Sequence, residues 1–136
     1  MLISIQADHR ENPSGIPELL AGNAGVSLIV SALPAGDYFI NGTIGIERKS
    51  AEDFVQSIIA NRLFDQIARL KRSAPRPLLI VEGNPYMTAH KIQDCAIRGA
   101  VLSVLVSWQV PVMFSKSKED TVALLLMAAR QDIAAI

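Results

Sequence analysis

The chain has 136 residues, 50% apolar and 19% charged, a balance that supports one folded domain with a sizeable core and excludes a disordered segment. Thirteen Lys and Arg against thirteen Asp and Glu give a formal net charge of zero. That excludes a protein whose main task is to coat nucleic acid, but not one that sets an acidic cluster against basic residues elsewhere.

The opening "MLISIQAD" carries neither a basic leader nor a cleavage site, so no secretion signal is expected. Its alternation predicts a first strand ending in polar residues, and residues 26–33, "VSLIVSAL", predict a second. "DYFI" and "TIGIERK" flank Asn41-Gly42, a strong hairpin signal. Ser50 is an N-cap with Asp53 in the first turn of the helix that follows. Helical character runs on to Arg72, but the apolar stripe loses phase at Ala60-Asn61. A break is expected there, then a second helix with Leu63, Ile67 and Leu70 inward. Residues 76–83, "RPLLIVEG", read as a strand buried on both faces. A helix is expected from Thr88 or Ala89 to about Ser107, then a last strand in "QVPVMFS", near an edge because of Pro111. Ser117 caps a final helix from Lys118, with Asp120 in its first turn. Its "VALLLMAA" is apolar nearly all round, and with the positive mean hydropathy this predicts a partner on one side, commonly a second copy.

No repeat, linker or membrane-length apolar run interrupts residues 1–136, so one α/β domain with a mixed central sheet flanked by helices is expected, and no membrane. The lone Cys95 excludes an intramolecular disulfide and gives no case for zinc; it fits a reducing cytoplasm. Cys95 and Trp108 are expected in the core or a dimer interface.

The charged strand end "ERKS" carries the chemistry. Glu47 and Lys49 share one face of a strand and Arg48 takes the other. A two-residue loop would pair Asp37 with Ile46, whereas a three-residue loop, Asn41-Gly42-Thr43 with Gly42 left-handed, sets Asp37 across from Glu47 with β-carbons roughly 5 Å apart. The second register is the one we expect. Facing carboxylates repel unless a divalent cation compensates, and Lys49 beside them could hold a water or stabilise developing negative charge. Together these make a phosphodiester hydrolysis site. The same Glu-Arg-Lys triplet is also an ordinary solvated strand end.

Around it, Asp8 and Glu11 lie at the end of the first strand, where ligand sites gather in α/β sheets, though Arg10 and Glu11 also read as an exposed pair at a turn. Asp53 is an acid near the strand end or simply part of a cap. Arg62, Gln66 and Arg69 form a polar helical stripe suited to phosphate or to solvent alone. Glu82 either turns to the site or pairs with a neighbour. His9 and His90 are too far apart in sequence to suggest a ligand pair.

"GDYFINGTIGIERKSAEDF" resembles the GD-x(n)-ERK-x(3)-D signature of the XPF-type structure-specific endonuclease domain, a branch of the PD-(D/E)XK superfamily. "DHRE", "SIIANRLFDQIARL" and "PRPLLIVEG" match its surroundings in order, so the resemblance covers about residues 3–83. It implies a restriction-endonuclease-like fold and Mg²⁺- or Mn²⁺-dependent cleavage of DNA, on branched or flapped substrates in repair or recombination. By position it implies Asp37, Glu47 and Asp8 as metal ligands, Lys49 positioning or activating water, and Arg48 contacting phosphate or organising the site. Glu11 and Asp53 match acidic positions, and Arg62 and Gln66 match its helix and would support the site or touch DNA; Arg10 and Arg69 are further candidates for DNA contact. The helix-hairpin-helix module and the helicase domain that members append are not matched here. A homodimer through the C-terminal helices, or a separate DNA-binding or helicase partner, would then add surface. The family also contains decayed scaffold members, but every acid and Lys49 are present here.

Overall fold

In the computed structural model, which describes residues 2–134, a six-stranded mixed sheet is sandwiched between two layers of helices. The strands are β1 (Ile3–Asp8), β2 (Val26–Ser31), β3 (Tyr38–Ile40), β4 (Ile44–Ser50), β5 (Arg76–Glu82) and β6 (Val112–Ser115), in the order β2-β1-β3-β4-β5-β6. Only β3 runs against its neighbours. The C-terminal ends of the other five therefore meet the start of β3 along one edge. The restriction-endonuclease-like architecture read from the sequence is the one observed.

Helices α1 (Ile16–Ala21) and α5 (Lys118–Ala134) cover one face, burying Ile16, Leu20, Leu125 and Ala129 on Ile5, Ile40, Ile46 and Ile80. Helices α2 (Ala51–Ile59), α3 (Leu63–Ser73) and α4 (Asp94–Leu102) cover the other over Leu79 and Val81. Ser50 accepts the Asp53 N–H as N-cap of α2, and Asn61, at φ 61°, breaks α2 from α3 where the stripe loses phase. Leu63, Ile67 and Leu70 point inward. Pro111 precedes β6, which is an edge strand. At α5, Ser117 accepts the Asp120 N–H and Asp120 accepts that of Lys116, a reciprocal cap.

Three features differ from expectation. Segment 88–93 is not helical: α4 starts at Asp94, because Glu52 of α2 holds the Ala89 N–H at 3.3 Å and the His90 imidazole at 3.2 Å, pinning the chain in a loop. A 3₁₀ turn (His9–Ser14) and the short α1, with Pro17 in its first turn, follow β1 without a helical period long enough to read. Cys95 is exposed, while Trp108 stacks on Phe64 at 6.4 Å. Among the described residues no helix is long and apolar enough to cross a membrane.

The last turn of α5 is tied to the sheet by Asp132, whose carboxylate accepts Thr43 Oγ1, Asn41 Nδ2 and Arg76 Nη1 at 3.1–3.3 Å. Asp132→Ala should cost about 1 kcal/mol, the net worth of lost hydrogen bonds whose donors water can reach. Urea unfolding should show a lower midpoint with an unchanged slope.

Candidate active site

The β3–β4 hairpin delivers the two central acids. Asn41 (φ 52°) and Gly42 (φ 71°) are both left-handed, and Ile40 pairs with Ile44 across a three-residue loop. Tyr38 then pairs with Ile46, and Asp37, one residue beyond the ladder, falls opposite Glu47. Gly36 fixes the entry: at φ 75° it passes so close to the Ile46 carbonyl and Leu70 Cδ1 that a β-carbon would sit 3.1 Å from each. The Asp37 N–H donates to Ile46 O at 2.7 Å, and its carboxylate accepts the Arg48 N–H at 2.7 Å.

Asp37 and Glu47 open into one cavity of about 480 Å³, with Gln66 and Arg69 of α3 on one side and Arg10 and the loop 33–36 on the other. Neither acid forms an ion pair among the described residues. Burial, with the charges of Glu47 and Glu11, pushes Asp37 up to about 8. Burial likewise raises Glu47, with Lys49, Arg10 and Arg69 pulling it back. Gln66 Oε1 is buried there without a hydrogen-bond partner. Lys49 is buried on the Glu47 face, its ammonium held by Ser57 Oγ of α2 at 3.0 Å. Ser57 was not singled out from the sequence, although a serine between Phe54 and Ile58 on an apolar helical stripe was the available signal.

The other predicted acids do not line the cavity. Asp8 is fully buried, its oxygens taken by the Leu33 N–H (2.9 Å), the Arg10 N–H (3.0 Å) and Arg10 Nε (2.7 Å). The Arg10 guanidinium, together with those backbone donors and against the effect of burial, holds its pKa well below the usual carboxylate range. Asp8 stands beside Asp37, its N–H donating to Asp37 O at 2.8 Å, and its carboxylate holds Arg10 at the cavity rim.

Arg48 and Glu11 meet on the opposite face. Glu11, a buried acid and not an exposed partner of Arg10, accepts the Tyr38 hydroxyl at 2.7 Å and Arg48 Nη1 at 3.3 Å. Arg48 also pairs bidentately with Glu82, at 3.1 and 2.8 Å. Its guanidinium lies on the opposite face and does not line the cavity. Asp53 is exposed in the first turn of α2, and Arg62 is exposed at the N-cap of α3 outside the cavity wall.

Two carboxylates without an ion-pair partner, beside an open cavity, fit a hard divalent cation, with water and phosphate oxygens completing its shell.

The profile of the ERCC4 domain family matches residues 7–127. The chain is 41% identical over 133 residues to the 3′-flap repair endonuclease Xpf of Saccharolobus solfataricus, covering 96% of this chain and 56% of that protein. It is 39% identical to a putative ATP-dependent RNA helicase of Methanocaldococcus jannaschii over 96% of this chain and 16% of that one. The solved structure of XPF from Aeropyrum pernix in complex with DNA superposes with a TM-score of 0.88 at 28% identity, covering 96% of this chain and 64% of that one. The chain therefore spans little more than half of the first of these relatives.

Without a cation, the mutual repulsion of Asp37 and Glu47 should weaken the fold. Since Asp37 titrates near 8 when folded and near 3.8 ordinarily, the folded state holds a proton that the unfolded chain has lost between those values. Stability should therefore fall as pH rises across that window. Asp37→Asn should flatten the dependence and gain about 1–2 kcal/mol at pH 8, discounted for a cavity open to water. That corresponds to roughly 3–8 °C in a thermal melt run in EDTA.

Proposed function

The chain belongs to the ERCC4 domain family, and from that premise we propose that it is a divalent-metal-dependent DNA endonuclease domain acting on branched or flap DNA in repair or recombination. The observation that carries the reading is the cavity in which Asp37 and Glu47 face each other unpaired, with Lys49 buried alongside and Arg10 and Arg69 at the rim. Asp37 and Glu47 would hold Mg²⁺ or Mn²⁺, which when bound supplies Lewis-acid stabilisation of charge on the scissile phosphate.

The chain's own groups supply the rest. Arg10 and Arg69 bind flanking phosphates and orient the strand across the cavity. Lys49, anchored by Ser57, presents its remaining N–H donors to the attacking water and to negative charge as it develops on phosphorus. Gln66 Oε1 is free to accept a hydrogen from that water. Water oxygen bonds to phosphorus, the bridging P–O bond breaks, and the departing strand end takes a proton.

Exposed Leu102 at the end of α4 and Leu105 and Val106 in the turn after it, with Met113 and Phe114 on edge strand β6, support a homodimer. The apolar faces of α5 are largely used in the core, where Val122, Leu125, Leu126 and Ala129 are buried. The dimer surface therefore centres on α4 and β6, with Met127 of α5 adding to it.

Labelled flap, fork, duplex and single-stranded DNA should be cut in Mg²⁺ or Mn²⁺, with flap or fork preferred, and not in EDTA. Asp37→Asn should abolish cutting, and Lys49→Ala should lower kcat by about 10²–10³. Mn²⁺ should raise the melting temperature of the wild type but not of Asp37→Asn. Failure to cut any substrate at high protein with either metal would make the domain a DNA-binding or dimerising scaffold.

A further inference from the structure

A partly buried hydrogen-bonded relay runs from the rim of the acidic cavity to the α5 layer. Arg48 is its joint. The Arg48 N–H holds the Asp37 carboxylate at 2.7 Å, while its guanidinium spans Glu11 and Glu82 on the other face. Glu82 Oε1 accepts Thr121 Oγ1 of α5 at 2.6 Å, and that hydroxyl lies 2.7 Å from Ser115 Oγ of β6. Thr121 and Ser115 are 0% and 3% exposed.

A hydroxyl has one hydrogen to give. Thr121 gives its hydrogen to a carboxylate, so in the short contact between the two hydroxyls Ser115 is the donor. The direction is fixed: Ser115 to Thr121 to Glu82, whose oxygens are otherwise filled by Arg48 Nε and Nη2. A carboxylate held on three sides cannot turn, and a bidentate pair sets the plane of the guanidinium. Valine and alanine would fill the same space without the desolvation cost of two hydroxyls.

We propose that Ser115 and Thr121 are positioning residues: by fixing Glu82 they set the plane of the Arg48 guanidinium, and through it the ion pair that neutralises Glu11 behind the cavity. The proposal deepens the nuclease reading and rests on it. If the guanidinium tilts, Glu11 loses its cation and its uncompensated charge adds to those of Asp37 and Glu47.

Thr121→Val removes the donated hydrogen at constant shape, and Thr121→Ser keeps it. Thr121→Val should lower kcat on flap DNA about tenfold with KM within about twofold, and Thr121→Ser should recover most of the loss. The Arg48 Nε–H resonance in ¹⁵N spectra, which needs no metal or substrate, should shift and exchange faster in Thr121→Val alone. If that variant does not fold, Ser115→Ala, which removes the upstream donor, should give the same pattern more weakly. An unmoved Arg48 resonance overturns the relay. A moved resonance with unchanged kcat overturns its positioning role. A wild type that cuts nothing overturns the nuclease reading and this inference together, and is told apart because the wild type itself fails.

Discussion

The pairing register of β3 with β4 is the constraint on which the site depends. Side chains alternate along a strand, so a slip of one residue would send Asp37 to the Arg48 face and leave Glu47 alone over α3. Two left-handed residues, Asn41 and Gly42, set that register at one end of the hairpin, and Gly36 sets it at the other. The tip is held from outside by Asp132, which reaches both Asn41 and Thr43 from α5. A turn far from the chemistry thus decides which carboxylates face each other.

The two faces at the sheet edge handle charge in opposite ways. On the α5 side every charge has a partner: Arg48 lies between Glu11 and Glu82, Tyr38 and Thr121 fill remaining acceptors, and the hydrogen bonds to Glu82 outweigh its burial and keep its pKa low. On the α3 side Asp37 and Glu47 form no ion pair among the described residues, and burial and repulsion raise both. A fold assembled only for stability would satisfy both faces. An unsatisfied pair held by a satisfied network on the reverse of the same strands is the arrangement expected where a ligand completes the charge balance.

What was legible in the sequence was local. Strand alternation, the Asn-Gly turn, the caps at Ser50 and Ser117 and the phase loss at Asn61 depend on neighbouring residues, and the structure carries each of them. So does the Asp37–Glu47 register, because loop length and strand period determine it. The start of α4 was not legible, since Glu52 holds residues 89–90 from another element. Nor was the sorting of the acids. Asp8, Glu11 and Glu82 look alike as carboxylates at strand ends, and only their distant donors, Leu33, Tyr38 and Thr121, show which are engaged.

That sorting explains why the "ERK" triplet is compact in sequence yet divided in role. Alternation sends Glu47 to the cavity, buries Lys49 on the same face against Ser57, and sends Arg48 to the opposite layer. Lys49 needs Ser57 because a buried ammonium with no hydrogen-bond partner bears the full cost of its lost hydration. Arg48 needs two acids because a guanidinium does not give up its charge and presents donors on two sides. A lysine at position 48 could not replace it: one ammonium cannot pair bidentately with Glu82 and still reach Glu11. The residue between the two charges on the cavity side of the sheet is therefore the most constrained of the three, although it touches no part of the cavity.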